Sequence, residues 1–470
     1  MRVLLLNPPG DKLYIRSNYC SKVSKSSFVH EPVDLLVLSG IVAKYFSLNV
    51  LDCIAERLSF TAALDKIAKL NPDFIITLVG SASWSNDVRF LTELKKMHPV
   101  NIMGSGDELM EDGCKILSQY AFLDAIILDY TSSDVADYIR GQRANLNSIL
   151  FKNNDNVSSA NAYLNKKAEE FEIPVPRHDL FPLKKYRFPF VRSYPVASVL
   201  TDFGCPYACA FCIFGALGFK LRKIENVLEE LKYLLSLGVK EVIFGDQSFA
   251  ADRNRTIRLC EGVLAKGLGL SWSCYSRADL MDPGLLSLLK ESGCHTIIFG
   301  VESGNDHILK RYNKGLTTQK IKDTVRLCRK AGIRTVATFI IGLPGETEAD
   351  CENTIRFAKN LGCDFASFNV PVPRKMTHLR QDAKKNNWII PEKQDMDQSG
   401  SDVLLNTPQI SADRLKQLRD RAEREFYLRP SYIYKRLLSL DSLTGFFVEL
   451  KEGLSLIWHI FLVRLKFPKE

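Results

Sequence analysis

Two stretches of the chain alternate short apolar runs with amphipathic segments, and this rhythm restricts the possible fold more than any other feature. Before residue 140 the runs are Val3–Leu6, Leu48–Leu51, Phe74–Leu78, Asn101–Met103 and Ala125–Leu128, separated by helical patterns such as Asp34–Tyr45, Thr61–Leu70 and Asn86–Lys96. Continuous apolar runs spaced by helices mark parallel strands covered on both faces. The pattern recurs six times between 195 and 375, in Val196–Leu200, Val239–Phe244, Ser271–Tyr275, Thr296–Phe299, Thr335–Ile341 and Phe365–Val370. Six strand–helix units predict an open, partial version of the eightfold barrel. The expected class is therefore α/β: a Rossmann- or flavodoxin-like parallel sheet over 1–140, then a partial (β/α)6 barrel over 195–375. Between them, 141–194 loses periodicity through Asn153–Ser159 and the proline-rich Ile173–Pro182, and reads as a linker. Residues 376–470 read as a helical extension, with helices over Ala412–Tyr427 and Pro430–Leu440.

Such sheets and barrels hold ligands at the carboxyl ends of their strands. Five successive barrel strands end in chemically distinctive residues: the cysteine loop after the first, Gly245-Asp-Gln-Ser-Phe249 after the second, Arg277 after the third, Gly300-Val-Glu-Ser-Gly304 after the fourth and Gly342-Leu-Pro-Gly-Glu346 after the fifth. In the first half the corresponding positions are Asn7-Pro-Pro-Gly10, Gly80-Ser-Ala-Ser83, Gly104-Ser-Gly106 and Asp129-Tyr-Thr131. The cysteine loop reads Cys205-Pro-Tyr-Ala-Cys209-Ala-Phe-Cys212. Three thiolates so spaced can cap three irons of a [4Fe-4S] cubane and leave one iron open. The alternative is a structural zinc completed by a distant His178 or His295, although zinc sites favour paired knuckles in small modules. The nine other cysteines have no repeated spacing and read as small buried hydrophobes.

The cysteine loop, with Phe211 before its last thiol, resembles the signature of radical S-adenosylmethionine (SAM) enzymes. The resemblance implies that Cys205, Cys209 and Cys212 hold a [4Fe-4S] cluster and that SAM binds around it, at Phe211, Asp246, Gln247, Arg277, Glu302 and Gly342. Asp246 and Gln247 would meet the methionine amine, Arg277 its carboxylate, Glu302 the ribose or amine, and the Ile340–Glu346 turn the adenine. Reductive cleavage would release a 5′-deoxyadenosyl radical that abstracts hydrogen from an unactivated carbon. The first half resembles the cobalamin-binding domain of one large subfamily, on Leu6-Asn-Pro-Pro9, Pro32–Gly40 and Asp52. That implies cobalamin near Asn7, Pro8, Gly80, Ser81, Gly104 and Gly106, with C-methylation, cyclisation or rearrangement as the outcome. The sequence departs from that subfamily at Leu128-Asp-Tyr-Thr131, lacks a D-x-H-x-x-G motif, and has Arg374 where relatives carry glycine in Pro371-Val-Pro-Arg374. Other readings are a flavodoxin-like domain with a lost or changed ligand, a cobalamin-independent radical enzyme and a non-catalytic iron–sulfur or zinc protein. A methylthiolating enzyme acting on transfer RNA would want a second cysteine triad and an RNA-binding barrel, and no nucleic acid is expected as a partner.

The formal charge is +9, and from Pro371 onward eighteen Lys and Arg face thirteen Asp and Glu. In the last segment Leu443, Phe447, Leu450, Leu454, Ile457, Phe461 and Leu465 draw an apolar stripe flanked by Lys451, Arg464 and Lys466. Its apolar core is too short to span a bilayer and predicts an interfacial helix. The expected partners are an electron donor such as flavodoxin or ferredoxin, a small-molecule, lipid-like substrate, and a membrane surface touched by the tail. With twelve cysteines and no signal peptide, the expected location is the cytoplasm, peripheral at the inner face of the membrane.

Overall fold

The computed structural model describes residues 1–153, 156–157, 169–391, 395–400 and 402–438. The first half is a seven-stranded sheet built from β1 (Arg2–Asn7), β4 (Ser47–Asp52), β5 (Phe74–Leu78), β6 (Asn101–Ser105), β7 (Ala125–Ile127), β8 (Ile149–Asn153) and β9 (Asn156–Val157), in the order β4-β1-β5-β6-β7-β8-β9. A short hairpin of β2 (Tyr14–Ile15) and β3 (Lys22–Val23) stands apart from it. The five strands from β4 to β7 pair in parallel, and β8 and β9 close the edge antiparallel. Val3 to Leu6 and Phe74 to Leu78 are wholly buried, as strands covered on both faces must be. The helix Val33–Ala43 is buried from Val33 to Val42 because it lies between this sheet and the backbone at Pro174. A Cβ on Gly40 would stand 2.3 Å from the Pro174 carbonyl oxygen, so only glycine fits there.

The second half holds β11 (Val196–Val199), β14 (Glu241–Phe249), β15 (Trp272–Ser276), β16 (Cys294–Glu302), β17 (Arg334–Ile340) and β18 (Phe365–Asn369), paired in parallel in chain order with one side left open. A small sheet of β10 (Glu169–Phe171), β12 (Asp202–Gly204) and β13 (Phe219–Arg222) flanks the cysteine loop. The segment 141–194 does more than link: β8 and β9 extend the first sheet, β10 pairs with β13, and Tyr186 donates its hydroxyl to Asp52 at 3.0 Å. Beyond the barrel, helix Ala412–Tyr427 buries Leu415, Leu418, Ala422 and Phe426 against the barrel and carries an internal Arg419–Glu423 pair. Its mixed charges read from sequence as a solvated face, yet Arg419 and Glu423 are themselves buried. The apolar stripe at 443–467 lies outside the described residues. Among the described residues no helix is long and apolar enough to cross a membrane.

Arg374 explains why its loop departs from the usual glycine. Its guanidinium reaches Asp107 at 3.2 Å, the Ser21 carbonyl at 3.3 Å and Gln398 at 2.8 Å, while Lys375 pairs with Glu108 and Arg380 with Glu111. Residues 374–380 thus clasp residues 107–111 of the first sheet's domain. Removing one partner of a buried pair strands the other charge, so Arg374→Gly is expected to cost about 3–5 kcal/mol, read as a lower urea midpoint. An unchanged midpoint would contradict the clasp.

Candidate active site

The cysteine loop is held in shape by backbone contacts from both flanks. Cys205 donates its N–H to Gly218 at 3.0 Å, Ala210 to Tyr312 at 3.0 Å, and the Ala210 carbonyl accepts from Leu379 at 2.9 Å. Asn313 bonds the Ala208 carbonyl at 2.9 Å. Gly204, at φ +79°, brings its Cα so close to the Gly218 carbonyl that a Cβ would stand 2.0 Å from that oxygen. Cys205, Cys209 and Cys212 all face one cavity of about 730 Å³ enclosed between the barrel and residues 15–33 of the first half. Burial raises the Cys205 thiol and pushes the Cys212 thiol up to about 12, so a metal must displace their protons to bind. Among the described residues, no three His, Cys, Asp or Glu side chains converge on a single metal ion. A cubane differs in giving each thiolate its own iron. The proposed zinc partners are also engaged elsewhere: His178 bonds Glu230 at 2.8 Å, and His295 bonds Glu241 at 2.9 Å.

Phe211, Gln247, Arg277 and Glu302 line the same cavity. Arg277 lies over the Tyr207 ring at 3.9 Å, with Nε and Nη2 on Asp279 at 3.0 and 2.9 Å and Nη2 also on the Lys314 carbonyl at 2.7 Å. Nη1 is left facing the Cys209 sulfur at 3.9 Å. A guanidinium fixed in this way presents its remaining donors to an anion beside the cysteines. Glu302 takes a left-handed conformation, φ 68°, and receives Lys314 Nζ at 2.8 Å. Lys314 and Ser248, whose hydroxyl accepts from the Cys205 thiol at 3.8 Å, also line the cavity and were not anticipated from sequence. Lys314 follows a short helix rather than a strand, so a search of strand ends passes it by. Ser248 lies within the Gly245–Phe249 signal but is an ordinary residue type there.

Two of the residues expected at SAM do not reach the cavity. Asp246 turns inward and accepts from the Thr201 N–H at 2.6 Å, the Thr201 hydroxyl at 2.6 Å and the Asp202 N–H at 3.0 Å. These bonds tie it to the approach to the cysteine loop. Gly342, at φ +82°, faces helix Ala412–Tyr427, where a Cβ would stand 2.6 Å from Leu415. Glu346 accepts the N–H groups of Gly342 and Leu343 at 2.8 and 2.9 Å, and burial pushes its carboxyl up to about 7. What the fifth strand offers the cavity is Val336, Thr338 and Ile340, ahead of this turn.

The six residues expected at cobalamin are likewise closed off, because residues 10–31 fold over the carboxyl edge of the first sheet. That edge has its topological switch between β1 and β5, where an open sheet would take a ligand. Arg16 fills it: Nη1 reaches Asn7 at 3.1 Å and the Pro8 carbonyl at 2.9 Å, Nε reaches Ser83 at 2.9 Å, and Nη2 pairs with Asp87 at 2.5 Å. Asp87 also accepts the Gly80 N–H at 3.0 Å, and Asp107 accepts that of Ser81 at 3.0 Å. A Cβ on Gly104 would meet Leu109 and Leu123, and one on Gly106 the Val79 carbonyl. Tyr19 packs against Tyr130, ring centres 5.2 Å apart and tilted by 38°, beside the last strand ends. As folded, Asn7, Pro8, Gly80, Ser81, Gly104 and Gly106 do not fit a corrin, and the face open to the cavity is residues 15–33.

Residues 200–358 match the Radical SAM superfamily. The chain is 30% identical over 450 residues to the uncharacterized methyltransferase PH0819 of Pyrococcus horikoshii, covering 93% of this chain and 94% of that relative. Among solved structures, the radical SAM methyltransferase TsrM of Kitasatospora setae, with cobalamin and a [4Fe-4S] cluster bound, matches with a TM-score of 0.65 at 17% identity, covering 82% of this chain and 78% of its own. The cobalamin-dependent SAM radical enzyme OxsB, with aqua-cobalamin and SAM bound, matches with a TM-score of 0.60 at 18% identity, covering 90% and 61%. A barrel with the matched cysteine loop, joined to a Rossmann-like sheet as in these enzymes, leads to one assignment: the chain is an enzyme belonging to the radical SAM superfamily.

Proposed function

We propose that the chain cleaves SAM reductively at a [4Fe-4S] cluster held by Cys205, Cys209 and Cys212 and transfers a methyl group to, or otherwise remodels, an unactivated carbon of an apolar small molecule. The observation that carries this reading is the gathering of all three thiols, Arg277 and Glu302 on one cavity whose remaining lining mixes aromatic and aliphatic side chains with further charged ones. When bound, the cluster would supply one electron to the SAM sulfonium, breaking its S–C5′ bond to give methionine and a 5′-deoxyadenosyl radical able to take hydrogen from the substrate. The protein's part is placement. Arg277 Nη1 receives the methionine carboxylate, Glu302 and Gln247 receive the amine or ribose with Lys314 holding the Glu302 carboxylate in place, and Phe211 covers the motif; Asp246 keeps the loop in register. Tyr275, Ile298, Val336 and Ile340 wall the cavity and limit water around the reacting carbon. The electron comes from an external donor. Contact of the tail with a membrane rests on the sequence stripe alone.

Because a planar fork suits a carboxylate better than an ammonium does, Arg277→Lys is expected to weaken SAM binding roughly 10-fold with iron content unchanged. Equilibrium dialysis against labelled SAM measures it. Methyl transfer itself is tested with methyl-deuterated SAM and a cell extract, followed by mass spectrometry. A product carrying the labelled methyl is expected; deoxyadenosine without labelled product would assign the enzyme to cyclisation or rearrangement. Cobalamin is proposed as methyl carrier on the likeness of the fold to TsrM and OxsB, lying in the interdomain cavity against residues 15–33 with no protein histidine on cobalt. Reconstitution with cobalamin is expected to leave about one cobalt per chain, and none retained would leave a cobalamin-independent enzyme.

A further inference from the structure

Six cationic side chains line the cavity, Lys22, Lys25, Arg277, Lys314, Arg374 and Arg436, against three carboxylates, Glu31, Glu302 and Glu423. Most of these charges are already engaged. Lys314 pairs with Glu302, Arg277 with Asp279 and Arg374 with Asp107. Lys25 donates to Ser367 at 3.1 Å and to the Phe368 carbonyl at 2.5 Å, with Glu423 at 3.9 Å. Glu31 accepts the Ser198 N–H at 2.6 Å and lies 3.5 Å from His178, while Arg436 stacks on Phe365 at 4.5 Å. Lys22 differs, with neither a hydrogen bond nor an ion pair among the described residues. It is carried over the barrel mouth by the β2–β3 hairpin. Its charged neighbours are the Cys20 thiol, Arg374 and Asp397. Asp397 is occupied by the N–H groups of Val23 and Ser399, at 2.9 and 3.0 Å. Burial lowers the Lys22 ammonium and the Arg374 guanidinium adds to that, against the opposing pull of the Cys20 thiol and Asp397.

Other walls of the same cavity belong to a different chemistry. Phe28, Phe188, Phe190, Tyr275, Ile298 and Val336 give the cavity an apolar, largely aromatic surface. A half-buried ammonium with no hydrogen bond or ion pair of its own is a ready partner for an anion that enters the cavity. SAM brings a carboxylate of its own, but the fixed Nη1 of Arg277 beside Cys209 is its proposed partner. Resting on the proposed function above, we infer that the substrate is an anionic amphiphile, with an apolar body along the aromatic wall and a carboxylate or phosphate on Lys22.

The test uses full-length reconstituted protein holding SAM without reductant, titrated calorimetrically with four probes of equal chain length below their micelle concentrations: decanoate, decyl phosphate, decanol and decyltrimethylammonium. One or both anions are expected to bind at least roughly 10-fold tighter than the neutral and cationic probes, a difference of about 1.4 kcal/mol. Which anion gains distinguishes a carboxylate from a phosphate substrate. Lys22→Met is expected to erase the discrimination and Lys22→Arg to keep it; if the Met variant does not fold, Lys22→Gln takes its place. Four equal affinities, no binding of any probe, or discrimination that survives removal of the charge would overturn the inference. Iron analysis of the same samples separates the two readings: iron without charge discrimination defeats the anionic substrate alone, whereas protein that takes up no iron defeats the radical mechanism.

Discussion

Cys205→Ala, Cys209→Ala and Cys212→Ala are each expected to abolish iron uptake and SAM cleavage, whereas Cys260→Ala keeps both. The contrast follows from position. The three motif thiols face the cavity on a loop pinned at Gly218, Tyr312 and Leu379. Cys260 lies in the barrel core on helix Arg253–Ala265, where it acts as a small apolar group. A cubane that loses one of three protein ligands loses its attachment at that corner, and among the described residues the one other thiol on the cavity wall is Cys20, on the opposite hairpin segment. Iron and sulfide analysis after anaerobic reconstitution reads the result. Iron retained by all three alanine variants would contradict the assignment.

Arg16→Met is expected to destabilise the first domain by about 3–5 kcal/mol, because it leaves Asp87 buried and charged without its guanidinium. Both side chains are almost wholly excluded from solvent, 1% and 0% exposed. The Gly80 N–H and Ser83 hydroxyl still bond Asp87, at 3.0 and 2.6 Å, but they cannot balance its charge. Burial already raises the Asp87 carboxyl against the opposing pull of Arg16. The double variant Arg16→Met with Asp87→Leu is expected to recover most of the loss, since no lone charge remains. Urea denaturation measures both. If Arg16→Met left stability unchanged, Arg16 would not be what fills the switch-point crevice in the working protein, and the crevice would return to a ligand such as cobalamin.

What the sequence made legible was local and repetitive. The runs at Val3–Leu6, Phe74–Leu78 and Thr335–Ile341 could be read as buried parallel strands because every residue in such a strand meets the core. The cysteine loop, Arg277 and Glu302 could be found because the partial barrel sends its strand ends to one rim. Residues whose role depends on partners far along the chain were not legible. Arg16 looks like an ordinary surface cation until Asp87 is brought beside it, and Arg374 gives no sign of Asp107, more than 260 positions away. Asp246 stands at the expected strand end, yet Thr201 and Asp202 turn its carboxylate inward. Gly342 is similar: Leu415 packs where its Cβ would stand, a contact that no local pattern announces.

The central claim is that the three thiols carry a redox-active cluster that cleaves SAM in the shared cavity. The most direct measurement is anaerobic reconstitution with iron and sulfide, then reduction in the presence of SAM with quantitation of 5′-deoxyadenosine. The account predicts about four irons and four sulfides bound at the motif and deoxyadenosine formed only after reduction. Tetrahedral zinc in place of iron, with no deoxyadenosine released, would contradict it.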